Sequence, residues 1–98
     1  MMWFKTNTGE WCETFEALLA ALPEGVEVEL SRAGSRRVKC QVRNVDRQTG
    51  NYRTPRGDAC AETAFEALAL ASQYAELGEV RVGGVPLFAP SEAGEGER

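Results

Sequence analysis

The sequence predicts an α+β fold, with an antiparallel sheet of four to five strands and two helices on one face. Three observations predict it. Apolar and polar residues alternate over 26–30 and again over 36–45, the period of half-buried strands. Two other stretches, 15–22 and 59–75, place apolar residues three or four positions apart, the period of a helix packed on one side. Residues suited to turns separate these runs, as in Asn7-Thr8-Gly9 and 46–51.

The elements follow in order. Met2-Trp3-Phe4-Lys5-Thr6 is strand-like, and Asn7-Thr8-Gly9 turns the chain. Glu10-Trp11-Cys12-Glu13 is either a short return strand or the start of the next helix. Thr14 is a suitable N-cap for that helix, with Glu16 near its positive end. Phe15, Leu18, Leu19 and Leu22 form its apolar face, and Pro23 and Gly25 end it.

Val26-Glu27-Val28-Glu29-Leu30 then alternates cleanly. In the following run Val38, Cys40 and Val42 share one face, and Arg37, Lys39, Gln41 and Arg43 the other. A loop at Ala33-Gly34-Ser35 would set Leu30 against Val38, Val28 against Cys40 and Val26 against Val42. Glu29 would then oppose Lys39, with Arg43 diagonal to Glu27. Val45 breaks the alternation and predicts a bulge or strand end near Asn44. Tyr52-Arg53-Thr54 reads as a third strand, placed at an edge by Pro55.

Asp58 is expected to cap the main helix over 59–75, with Ala61, Ala64, Phe65, Leu68, Ala71 and Ala75 as its stripe and Gly78 as its C′ residue. Glu79-Val80-Arg81-Val82 is a strand, Gly83-Gly84 a hairpin turn, and Val85-Pro86-Leu87-Phe88 its return. Residues 1–89 are expected to form one domain and 90–98 a disordered acidic tail.

Phe15-Glu16-Ala17-Leu18 recurs as Phe65-Glu66-Ala67-Leu68. Two β-α-β halves suit a ferredoxin-like split βαβ layout, while the order α-β-β-β-α within the same elements is that of double-stranded-RNA-binding domains. In both, helices cover one sheet face and the Arg/Lys row lies on the other.

Composition narrows the function. Hydrophobic residues make up 43% and charged residues 27%, which suits a globular rather than a disordered chain. No apolar run approaches the roughly 18 residues of a membrane span, and the start MMWFKTNTG has no apolar signal core. A cytoplasmic location is expected. Three scattered cysteines argue against a disulfide framework or a zinc site. The absence of histidine removes the commonest metal ligand and general base. Neither a metal, a cofactor nor a catalytic residue is expected, and Glu13/Glu16 and Glu62/Glu66 have the spacing of exposed helix positions.

Charge is segregated. The stretch 31–57 holds eight positive residues, Arg32, Arg36, Arg37, Lys39, Arg43, Arg47, Arg53 and Arg56, and one negative residue, Asp46. The rest of the chain is acidic, so the net charge of −4 conceals a basic middle. Arginine offers a planar donor fork for carboxylate or phosphate, and these eight residues are the candidate partner-binding set. Glu27 and Glu29 are expected to answer part of this charge, leaving the loop arginines free. Trp3, Phe4 and Trp11 are either packing residues or a partly exposed anchor. Strand 36–45 lacks the stacking aromatics of RNA-binding sheets, and the acidic pI opposes general nucleic-acid affinity. The glutamates of the flanks would otherwise suit a basic groove on another protein.

Gly57-Asp58-Ala59-Cys60-Ala61-Glu62-Thr63-Ala64, following an arginine-bearing hairpin, resembles a pattern in small phage and prophage accessory proteins. The resemblance implies a compact phage-encoded protein, of a class that includes anti-CRISPR inhibitors, and implies no catalytic residues. The expected function is a non-enzymatic binding protein that occludes a charged surface of a host protein or nucleoprotein complex, as a monomer or homodimer. The alternative is a small nucleic-acid-binding or regulatory module using the same arginines.

Overall fold

The computed structural model describes residues 2–83 and the backbone of Val85 and Pro86. Strand β1, Met2–Thr6, turns through Gly9, whose φ of 96° favours glycine, into the two-residue strand β2, Trp11–Cys12. The turn is tied by Gly9 N–H to the Thr6 carbonyl at 2.9 Å and by Glu10 N–H to Thr6 Oγ1 at 3.0 Å. Helix α1, Phe15–Ala21, begins where expected: Thr14 Oγ1 accepts the Ala17 N–H at 3.1 Å. Such a cap contributes about 1 kcal/mol.

Strands β3, Val26–Arg32, and β4, Val38–Val45, form the expected hairpin in a different register. Leu30 opposes Cys40, Val28 opposes Val42, Glu27 opposes Arg43 and Ser31 opposes Lys39. The pairing is displaced by two residues from the expected one, and the loop opens to span 33–37, closed by Ala33 N–H to the Arg37 carbonyl at 3.0 Å. A shift of two leaves every side chain on its own face, so hydrophobic alternation does not distinguish the two registers. Cys40 and Val42 are fully buried, as the alternation requires.

Strand β5 spans Tyr52–Ala61, far beyond the expected 52–54. Its pairing with β4 jumps from Val42↔Gly57 to Asn44↔Arg53, so 54–56 bulge outward opposite Arg43. Pro55 sits inside this bulge on an edge strand, where its missing N–H forfeits no ladder bond. Asn44 Nδ2 donates to the Pro55 carbonyl at 2.7 Å and pins the bulge.

The continuation of β5 corrects the start of the main helix. Asp58, Ala59 and Cys60 are paired strand residues opposite Gln41, Cys40 and Lys39, not a cap and a first turn. Helix α2 is Ala64–Tyr74. Thr63 caps it, accepting the Glu66 N–H at 3.1 Å, in the T-x-x-E pattern of a capping box. At Gly57 a side chain would run into the Ala71 carbonyl and lie 2.7 Å from Tyr74 Cβ, so glycine lets α2 rest directly on the strand.

The helix ends in a Schellman motif: Leu77 N–H reaches the Ser72 carbonyl and Glu76 N–H the Gln73 carbonyl, both at 3.0 Å. The left-handed position is Glu76, with φ of 62°, and not Gly78. Gly78 instead opens β6, Gly78–Val82, where a side chain would lie 2.6 Å from the Phe4 ring. Strand β6 pairs antiparallel with β1, setting Phe4 against Val80, and β7, Val85–Pro86, returns along β6. The rest of the expected return, Leu87 and Phe88, and the tail 90–98 lie outside the described residues.

The strands form two antiparallel sheets, not one. The first is ordered β2-β1-β6-β7 and the second β3-β4-β5. Neither the ferredoxin-like nor the double-stranded-RNA-binding arrangement is present. The reason lies in α2. Ala67, Leu68 and Ala69 are all fully buried, although consecutive helix positions point about 100° apart. A helix buried over so wide an arc needs cover on more than one side. It packs against β4 and β5 of the second sheet and against β6 and β1 of the first, while α1 packs against β2 and α2. One buried cluster results, joining Phe4, Cys12 and Val80 to Cys40, Val42 and Ala61 through α2.

Candidate functional site

The eight basic residues do not form one row. Register and alternation place Lys39 and Arg43 on the outer face of the second sheet, among Glu27, Glu29 and Asp58. Arg43 is absorbed there. Its Nη2 lies 2.8 Å from Glu29 Oε1 and 3.6 Å from Glu27 Oε1, and its Nη1 donates to Gln41 Oε1 at 3.0 Å. Its guanidinium stands 5.0 Å over the Tyr52 ring, whose hydroxyl donates to Glu27. The hydrogen bond to Glu29 is the main reason that its pKa is raised further. The outer face is therefore of mixed charge, contrary to the expected Arg/Lys row.

Arg47 is also paired, with Nη1 2.6 Å from Glu24 Oε1. Arg53 opposes Asn44 and lines a 290 Å³ cleft that also holds Glu24 and Glu76 at the end of α2. Arg56, beside the bulge, lines a 390 Å³ cleft with Gln41, Arg43, Gly57 and Asp58. Each of these arginines thus stands with carboxylates nearby.

The other four gather at the far end of the hairpin. Arg32 closes β3, Arg36 and Arg37 lie in the loop, and Lys39 follows on β4. Arg32, Arg36 and Arg37 are exposed, and none of the four forms an ion pair among the described residues. Arg37 Nη2 donates to the Cys60 carbonyl at 3.1 Å, which orients its guanidinium along the β5 edge. Strand β4 separates this tip from Arg47 by roughly 23 Å, at about 3.3 Å per residue. The loop arginines expected to be free are thus divided between two ends of the sheet: Arg32, Arg36 and Arg37 lie together at the tip, while Arg53 and Arg56, which also make no ion pair among the described residues, line clefts that hold carboxylates.

A second surface lies on the outer face of the first sheet. Phe4 and Cys12 oppose each other and point inward, so their neighbours Trp3, Lys5 and Trp11 point outward. Trp11 is 49% exposed. Its ring meets Trp3 edge to face, with centroids 5.9 Å apart and planes at 89°. Lys5 Nζ and Arg81 Cζ lie 5.5 and 5.7 Å from its centroid, and Arg81 is held by Glu79 at 2.7 Å. Trp3, Trp11 and Glu13 line an open, mainly apolar hollow of 260 Å³. Sequence reasoning left both tryptophans open between core and anchor. The signal that separates them is the alternation Trp3-Phe4-Lys5, which puts Trp3 on the lysine's side.

Cys12 and Cys40 are buried and Cys60 is exposed. Burial pushes the Cys40 thiol up to about 11, and burial with the nearby Glu10 charge raises Cys12. Among the described residues no cluster of histidine, cysteine, aspartate or glutamate could hold a metal ion, and no helix is long and apolar enough to cross a membrane. Comparison with known protein families, with curated proteins and with solved structures finds no match.

Proposed function

We propose that the chain is a non-enzymatic binding protein that uses the β3–β4 hairpin tip to occlude an acidic surface of a partner protein or nucleoprotein complex. The observation that carries this reading is the contrast among its arginines. Arg43 and Arg47 pair with glutamates, and Arg53 and Arg56, though without an ion pair, line clefts that also hold carboxylates, whereas Arg32, Arg36, Arg37 and Lys39 lie together at the hairpin tip with no ion pair among the described residues. Unanswered cations at a hairpin tip steer association with an acidic partner and add to it once they are desolvated. Arginine forks suit carboxylate and phosphate alike, but the tip sequence 32–39 contains no aromatic residue on which a base could stack, which favours an acidic protein surface.

The resemblance to phage accessory proteins makes CRISPR interference the first process to assay. The test compares the wild type with an Arg32→Ala/Arg36→Ala/Arg37→Ala variant. The wild type should retain a bacterial protein complex on affinity capture and reduce interference in cells, and the variant should do neither. Equal retention and equal effect for both proteins would remove the tip from the function. Tip-dependent binding of labelled DNA or RNA at physiological salt, with no protein retained, would make the chain a nucleic-acid module instead.

A further inference from the structure

We infer that the hollow between Trp3, Trp11 and Glu13 is a docking site for an arginine or lysine side chain carried by a basic segment of a protein partner. Its walls are two tryptophans in perpendicular planes and one carboxylate. An indole face attracts a cation through its quadrupole, and the apolar walls accommodate the methylene stem of a long cationic side chain. Lys5 and Arg81 already approach the Trp11 ring to within 6 Å, so this ring draws positive charge within the protein itself.

Charge complementarity selects a cationic occupant. Arg81 is held by Glu79, and the charged residue that lines the hollow, Glu13, makes no ion pair among the described residues. Neither Lys5 nor Arg81 lines the hollow, so the charge an occupant meets there is the Glu13 carboxylate. The hollow of 260 Å³ suits one side chain and not a folded ligand of larger size. Half-exposed tryptophan beside a carboxylate is also the composition of an interface anchor, where a few aromatic residues dominate binding. This surface is separate from the basic hairpin tip and stands whether or not the tip binds an acidic partner.

The chain contains two tryptophans, and both line the hollow, so tryptophan emission, excited at the red edge where tyrosine does not absorb, reports on this site. The experiment titrates the full chain with a hexa-arginine peptide and a hexa-glutamate peptide at physiological salt. Hexa-arginine should give a saturable change in emission, and hexa-glutamate none. Glu13→Gln should weaken the response about fivefold, the upper end for an exposed ion pair, while Glu62→Gln, just before the Thr63 cap of α2 and outside the lining of the hollow, leaves it unchanged. Trp11→Ala should abolish it, with folding verified by circular dichroism. The inference is overturned if Glu13→Gln and Glu62→Gln respond alike, if hexa-glutamate also saturates, or if tetramethylammonium at equal concentration reproduces the full change.

Discussion

At the scale of the residue, burial divides three chemically identical thiols. Cys12 is 3% exposed and Cys40 fully buried, whereas Cys60 faces outward on the edge strand beside Lys39. Thiolate is the reactive form and burial disfavours it. In the native protein at pH 8 a thiol reagent should therefore label Cys60 rapidly, with the other two reacting only on denaturation. Cys40 has a further consequence for stability. Its native pKa, about 11, lies above its ordinary value of 9.0. Its contribution is therefore complete below pH 9 and is lost as pH rises toward 11, because the unfolded chain releases the proton first. Urea unfolding at pH 8 and pH 10.5 should show a larger loss for the wild type than for Cys40→Ala, and equal losses would refute the assignment. The inward position of Cys40 was legible from its place between Val38 and Val42. The outward position of Cys60 was not, because the alanine-rich run around it reads as a helix.

At the scale of the element, local chemistry set the ends and long-range pairing set the identities. Thr14 and the Asn7–Gly9 turn act through neighbours within four residues, and the structure has both where the sequence places them. Residues 58–61 have no β-branched side chain, yet they are a strand because β4 offers them partners and Gly57 lets α2 approach. Tertiary context outweighs a propensity of some tenths of a kcal/mol per residue. The hairpin register escaped for another reason: both registers bury the same residues, and the loop at 33–37 decides between them.

The C-terminus of α2 carries a local conflict that yields a prediction. Glu76 occupies the left-handed position of the Schellman motif with φ of 62°, a conformation in which Cβ crowds the backbone. The hydrogen bond from Asn7 Nδ2 reaches the Glu76 backbone carbonyl at 2.9 Å and needs no side chain there. Glu76→Gly should raise stability by about 0.5–1 kcal/mol, the relief of that conformation less the added freedom of the unfolded chain. Denaturant midpoints measure it directly, and a lower midpoint for the variant would show that the glutamate side chain contributes something the backbone argument omits.

At the scale of the whole molecule, the separation into two sheets was not legible from the strand patterns. Alternation shows which face of a strand is buried but not which distant strand lies beside it. The pairing of β1 with β6 joins residues more than seventy positions apart, such as Lys5 and Glu79. The signal that was present lay in the helix: a run such as Ala67-Leu68-Ala69-Leu70-Ala71 is apolar on every side, which one sheet would not require. The candidate surfaces show the same division. Segregation of charge was visible in the sequence, but which arginines are free depends on Glu24, Glu27 and Glu29, whose positions follow from the register and from the turn into β3.

The shared helix makes a cooperative prediction. Neither sheet has a buried face of its own; both close on α2, and Leu68 at its centre is fully buried. Leu68→Ala should cost about 2–5 kcal/mol, as truncations of buried leucine do. It should do so for both sheets together. Tryptophan emission reports on the first sheet through Trp3 and Trp11, and labelling of Cys40 reports on the second. In a urea titration the two should change at one midpoint in the wild type and shift together in Leu68→Ala, as a two-state transition requires. Separate midpoints, with Cys40 still protected after the tryptophans are exposed, would mean that the second sheet keeps α2 as its own cover and the first is only appended to it.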